Sequence, residues 1–153
     1  MPNASGPNKY EKSRSKNFVT SSSTAGDGEG DVIFNGEESV VAGKVYYLAA
    51  GEVSGLAWTL TDADAEASSK NLLAVALGTG TSSTVGMLLR GMVKLYTDPG
   101  TGPGVPMYLS TTPGLANRAQ PTASGDVIRC IGYQVEDTGK IWFNPEATYI
   151  LIA

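Results

Sequence analysis

Short apolar runs, each bounded by glycine, proline or polar residues, recur along the chain from Val32 to the C-terminus. They are VIFN, SVVAG, KVYYLAAG, LAWTL, LLAVALG, VGMLLRGMVKLY, VPMYLS, DVIRCIGYQV, KIWFNP and TYILIA. Runs this short, separated by turn-forming residues, are typical of β-strands that reverse at each loop. The sequence therefore predicts an all-β fold, a compact β-sandwich or barrel-like domain with at most one short helix.

The clearest strand signal lies in residues 85–96. Apolar residues and glycine alternate there with other side chains, among them Arg90 and Lys94, which predicts one buried face formed by Val85, Met87, Leu89, Gly91, Val93 and Leu95. Residues 62–73 are the only helical candidate, because acids fill the first turn and several alanines follow. They contain few large apolar residues, so we expect a turn or two at most.

A faint internal repeat joins the two halves of the chain. Residues 43–48 (GKVYYL) are echoed by residues 104–109 (GVPMYL), and residues 55–57 (GLA) by residues 114–116 (GLA). The repeat predicts two similar β-modules packed around one core. Two copies also fit a chance match in a biased composition, so both interpretations stay open.

Composition divides the chain into three parts. Residues 1–25 form a polar, basic N-terminal arm, residues 26–31 (GDGEGD) predict a glycine-rich acidic hinge, and residues 32–153 form the β-domain. The arm offers almost nothing to a core, so we expect an acceptor surface, and not its own domain, to order it. The candidate partner-binding residues are Lys9, Tyr10, Lys12, Arg14, Lys16 and Phe18.

The chain also lacks the side chain that catalysis and metal binding use most often. The chain has no histidine, the commonest proton carrier and metal ligand near neutral pH, and its single Cys130 can form neither an intrachain disulfide nor a multi-cysteine zinc site. The net charge of −4 argues against binding nucleic acid through phosphates, and the longest apolar run, residues 72–77, is too short to cross a membrane. We expect no enzyme, no cofactor, no nucleic-acid partner and no membrane partner.

Two acidic patterns resemble calcium sites only in part. Asp62, Asp64 and Glu66 alternate like the start of a calcium loop, but the glycine and the final acid of that loop are missing. Residues 27, 29 and 31 are acids that could bind calcium weakly at an interface or could form a solvated hinge. The glycine-rich residues 78–86 precede a predicted strand, whereas a dinucleotide loop precedes a helix.

Cys130 and the two tryptophans lie inside apolar runs. This placement predicts a core or near-core position for Cys130 and core anchoring for Trp58 and Trp142. The other interpretation of the tryptophans is that they form platforms on which sugar rings stack.

Three modules in the second half of the chain carry a resemblance to a known family. They are residues 106–114 (PMYLSTTPG), 125–133 (GDVIRCIGY) and 140–145 (KIWFNP). Together with residues 43–80 they resemble small virion structural proteins of tailed bacteriophages, of the head-decoration (cement) type and its fibre- or tail-associated relatives. The resemblance implies an all-β domain that assembles on a particle surface, commonly as a trimer, and it carries no catalytic residues.

Three functions from different classes follow as hypotheses. The first is a capsid decoration protein, made in the host cytoplasm, that binds the major capsid protein or other virion proteins as a homo-oligomer, with a trimer favoured. The second is the receptor- or glycan-binding head of a phage tail or head fibre. The third, a hydrolase that acts on cell-wall sugars through two carboxylates, ranks last because no acids stand in a recognisable motif.

Overall fold

The computed structural model describes residues 24–50 and 57–153, and strands dominate its regular structure. This confirms the all-β prediction. The strands are β1 (Gly28–Ile33), β2 (Ser39–Val40), β3 (Val45–Ala49), β4 (Ala57–Leu60), β5 (Leu73–Ala76), β6 (Gly80–Thr81), β7 (Met87–Lys94), β8 (Pro106–Leu109), β9 (Ala116–Asn117), β10 (Val127–Ile128), β11 (Cys130–Glu136), β12 (Lys140–Phe143) and β13 (Ile150–Leu151).

Helical structure within the described residues is limited to two single turns. A 3₁₀ turn spans Glu66–Ser68, and an α-helical turn, α1, spans Ser82–Val85. The first lies inside the predicted helical segment 62–73, so the expectation of a turn or two at most is confirmed. The second was not predicted, because the sequence SSTV carries no helical signal that distinguishes it from a loop.

Nine strands form one antiparallel sheet that curls into a half-barrel. Eight of them follow the order β4-β3-β5-β7-β12-β11-β8-β9, and β1 pairs with β7. Backbone hydrogen bonds link the two ends of the curled sheet: the Gly114 N–H donates to the Thr61 carbonyl (2.8 Å), and the Ala63 N–H donates to the Ser110 carbonyl (3.0 Å). These bonds satisfy backbone groups that an open edge would leave exposed.

The strand order supports the two-module prediction at the level of topology. A hairpin (β3–β4) followed by β5 and β7 builds one half of the sheet, and a hairpin (β8–β9) followed by β11 and β12 builds the other. The sequence echo, however, is out of register. Val45 points into the inner core, whereas Pro106, its counterpart in the echo, points away from it because the neighbouring Met107 lies in that core.

Apolar side chains pack on both faces of the first half of the sheet. Inside the curl lies a cluster of Val45, Ala63, Leu73, Val75, Leu88, Val93, Leu95, Met107, Leu109, Ile131, Ile141 and Phe143. On the outer face lies a second cluster of Val40, Tyr46, Trp58, Ala74, Ala76 and Met87, with Val85 of α1 packed against it. Strand β5 is therefore buried on both sides, which explains its continuous apolar run.

Strand β7 does not keep the single buried face that the sequence predicts. Met87 belongs to the outer cluster, whereas Leu88 and Val93 belong to the inner cluster, so the faces exchange within the strand. The register with β1 shifts by one residue between Asp31 and Val32. A bulge of one residue reverses which side chains face the inner core, so the six predicted residues do not share one face: Val85, Met87 and Leu89 pack with the outer cluster, and Val93 and Leu95 with the inner cluster.

The predicted hinge at residues 26–31 is wrong from Gly28 onward, because those residues belong to β1. Gly30 has φ +152° and lies opposite Gly91, and a Cβ at Gly30 would overlap the carbonyl oxygen of Arg90. The glycine is thus required for a close approach of two backbones and not for flexibility.

Candidate functional site

Part of the outer face of the second half of the sheet is apolar, and large side chains there stay exposed within the described residues. The strand registers place Pro106, Tyr133, Trp142 and Met92 in one row across β8, β11, β12 and β7. Tyr133 is 47% exposed and Trp142 is 37% exposed. We call this row, together with Tyr108 and Val135, the aromatic face.

Strand alternation explains why these side chains point outward. On β12, Ile141 and Phe143 are fully buried in the inner core, so Trp142 between them projects to the opposite side. On β11, a bulge between Cys130 and Gly132 interrupts the alternation, and beyond it Tyr133 lies opposite Trp142 and shares its outer side, next to the buried Gln134. The prediction that Trp142 anchors the core is therefore wrong.

Trp58 does anchor the core, as predicted. It is 3% exposed, packs in the outer cluster of the first half, and donates its indole N–H to the Asn35 side-chain oxygen at 3.0 Å. The first half of the sheet thus covers its outer aromatic residues with its own chain, whereas the aromatic face of the second half stays uncovered within residues 24–50 and 57–153. Exposed clusters of Trp, Tyr and Met are typical of surfaces that bind another protein.

A groove of about 340 Å³ borders the aromatic face. Its walls carry three tyrosines, Tyr108, Tyr133 and Tyr149, with the polar side chains of Gln120 and Glu146 beside them. The Tyr149 hydroxyl donates to Glu66 Oε1 at 2.6 Å, and this hydrogen bond to a carboxylate, together with burial, raises the pKa of Tyr149. The raised pKa favours the neutral phenol, and the hydrogen bond orients its hydroxyl towards Glu66.

Cys130 is half-buried and lines the same groove. Its Sγ lies 3.6 Å from the Gly132 carbonyl oxygen, and the chain has no histidine that could act as its base. This position agrees with the near-core prediction, and a thiol needs an adjacent base or cation to act as a nucleophile.

The predicted acidic sites form no metal centre within the described residues, where no three acidic or cysteine side chains converge. Asp62 accepts the Asp64 N–H at 3.2 Å, and burial raises the pKa of Asp62. Glu66 accepts the Tyr149 hydroxyl, and Asp31 pairs with Arg90 at 3.1 Å. A calcium ion at residues 27–31 would need further ligands from a partner.

The six predicted arm residues, Lys9, Tyr10, Lys12, Arg14, Lys16 and Phe18, lie outside the described residues. The described chain begins beside β7, where the Gly26 N–H donates to the Lys94 carbonyl at 2.9 Å. This point is two residues along β7 from Met92, at the border of the aromatic face.

None of the helical turns in residues 24–50 and 57–153 has the length or apolar character of a membrane span. Comparisons of the chain with protein-family models, curated proteins and solved structures found no match. The fold and the site together define an all-β protein whose most distinctive surface is an uncovered aromatic face.

Proposed function

We propose that this chain is a virion structural protein, a capsid decoration (cement) protein that binds the outer shell and stabilises it through subunit interfaces. The observation that carries the proposal is the aromatic face, an apolar docking surface on a body with little other chemistry. The sequence resemblance of residues 106–114, 125–133 and 140–145 to phage virion proteins supports it. The proposed partners are the major capsid protein or other virion proteins, and the proposed location is the capsid surface.

The occupant of the aromatic face, in this proposal, is a second copy of the same chain. The side chains of the aromatic face are themselves uncharged, and charged side chains stand at its borders, where Glu29 lies opposite Met92 and Lys140 lies two residues from Trp142. Permanent subunit interfaces are the most apolar class of protein contact. Tyr133 and Trp142 are cross-strand neighbours, so together they form a rigid aromatic anchor of the kind that dominates binding energy. A closed trimer built this way leaves its other surfaces for the shell, where many identical weak contacts add up over the lattice.

The test of this interface is the oligomeric state of the purified chain by light scattering. We expect a small closed oligomer, with a trimer favoured, and we expect the double variant Tyr133→Arg/Trp142→Arg to be monomeric because two charges would be buried without partners. The matched control is Phe34→Arg, a 63% exposed residue of the first half that should leave the oligomer intact. A strict monomer at high concentration, or an oligomer that survives the double variant, contradicts the proposal.

The arm extends this proposal beyond the described residues. Lys9, Lys12, Arg14 and Lys16 would meet an acidic surface through exposed ion pairs, each contributing about 0.2–1 kcal/mol. The apolar contacts of Tyr10 and Phe18 are therefore expected to matter at least as much. The proposal includes no catalytic activity and no cofactor.

A second candidate is the receptor- or glycan-binding head of a tail or head fibre, and the groove favours it. Tyrosine rings beside amide and carboxylate groups suit stacking and hydrogen bonding to a sugar. Trp58 is too buried to contribute, so the platform would consist of Trp142 and Tyr133, with Tyr108 and Tyr149 in the groove beside them. The two functions differ in copy number, because a decoration protein repeats over the whole shell lattice and a fibre head does not.

A further inference from the structure

Three of the seven basic side chains in residues 26–153 line one cavity, although this part of the chain carries fourteen acidic residues. The three are Lys70, Arg90 and Arg129, and no acidic residue lines the same cavity. The cavity measures about 400 Å³ and lies between the segment before β5, strand β7 and the segment after β12. A volume of this size accommodates a small ligand.

Arg129 is the buried member of the three, at 5% exposure. Its Nε donates to the Glu146 carbonyl, and its Nη1 donates to the Ser69 and Asn71 carbonyls, each at 2.7 Å. The two N–H groups of Nη2 have no acceptor within the described part of the chain, and no carboxylate there forms an ion pair with Arg129. Burial lowers the pKa of Arg129, yet an arginine stays charged at neutral pH.

A buried cation without a counter-ion is costly, so such groups are normally paired. Lys70 and Arg90, the other two cations of the cavity, bring no negative charge that could compensate the charge of Arg129. Lys70 is exposed and forms no ion pair with a described residue, and the Arg90–Asp31 pair is exposed on both sides and hence weak. The cavity is therefore positive in a body that is otherwise acidic.

We propose that this cavity binds an oxyanion, the carboxylate or phosphate group of a ligand. The unused Nη2 donors of Arg129 form its buried end, and Lys70 and Arg90 form its exposed rim. Arginine and lysine favour carboxylate and phosphate because their hydrogen bonds to these groups are charge-assisted. Leu72 and Pro145 add an apolar wall, so a carboxylate on a short aliphatic stem, such as the acidic side chain of a partner protein, fits the lining. This site does not depend on the proposed function.

Calorimetric titration of the full chain at constant ionic strength tests the site. One probe is N-acetyl-glutamate α-amide, which imitates an acidic side chain, and the other is inorganic phosphate. We expect at least one probe to bind saturably with one site per chain, and the double variant Lys70→Gln/Arg90→Gln to bind it about tenfold more weakly. The neutral isostere N-acetyl-glutamine α-amide is expected not to bind.

One control variant, one further rim variant and a folding check separate the site from general charge effects and from loss of folding. Arg118→Gln removes an exposed arginine outside the cavity and should leave the affinity unchanged. The single variant Lys70→Glu reverses one rim charge without touching the Arg90–Asp31 pair, and it should weaken binding as well. Circular dichroism verifies that each variant is folded.

The two probes also distinguish the source of the oxyanion. Binding of the glutamate amide supports a partner's acidic side chain, and binding of phosphate alone supports a free phosphate. Binding of neither probe, or an affinity that the rim variants do not change, overturns the proposal. Light scattering of the rim variants should show the wild-type oligomer, so a failure here is distinguishable from a failure of the proposed subunit interface.

Discussion

Gly132→Ala is expected to destabilise the protein by about 3 kcal/mol or more. Gly132 lies in β11 between β8 and β12 with φ +146°, a conformation that side-chain-bearing residues rarely adopt. A Cβ at this position would overlap the carbonyl oxygen of Trp142, which is backbone and has no free side-chain rotation that could relieve the overlap. The strand would have to separate from β12, directly beneath the aromatic face.

Gly125→Ala is the matched control for this variant. Gly125 also has a positive φ, +91°, but a Cβ there would meet no atom within 4 Å. Its expected cost is therefore only the backbone strain of about 1 kcal/mol. Denaturant unfolding measures both variants, and equal losses of stability would contradict the close approach of β11 and β12.

Arg129→Met is expected to destabilise the protein by about 2–3 kcal/mol, because three backbone carbonyls lose their donor. Ser69 and Asn71 precede β5 and Glu146 follows β12, so this one guanidinium joins segments from both halves of the sheet. The substitution also removes the desolvation cost of an unpaired buried charge. The expected loss of stability is therefore smaller than the combined contribution of the three hydrogen bonds.

Arg118→Met is the control for the loss of an arginine as such. Arg118 is exposed and donates to the Thr101 carbonyl, and surface substitutions of this kind change stability by less than about 0.5 kcal/mol. The midpoint of chemical denaturation compares the two variants. If Arg129→Met is as stable as the wild type, the carbonyl network does not hold the two halves together.

The fold class was accessible from sequence because each apolar run is short and bounded by turn-forming residues. The orientation of β7 was not, because the reversal between Leu88 and Val93 arises from its pairing with β1, a partner about sixty residues earlier in the chain. The alternating glycines of residues 26–31 suggested a flexible hinge because their pairing partner in β7 is equally distant in the sequence. Only the pairing of Gly30 with Gly91 shows that they permit a close backbone contact.

The candidate sites were less predictable than the fold. In the run KIWF every apolar side chain looks equally suited to the core, and only the registers of β12 with β7 and β11 place Trp142 outside. Lys70, Arg90 and Arg129 line the cavity but belong to three separate segments of the chain, so no local sequence motif predicts the cavity. Sequence reasoning could identify residues with binding chemistry, but tertiary structure decides which of them meet.

The copy number of this chain per particle tests the central claim most directly. The proposal implies that a virus encodes the chain, so particles of that virus would be purified and the ratio of this chain to the major capsid protein measured by quantitative mass spectrometry. The proposed decoration function predicts hundreds of copies per particle, in a fixed ratio to the capsid lattice. Absence from purified particles contradicts a virion structural role, and only a few to a few dozen copies contradicts decoration and favours the fibre head.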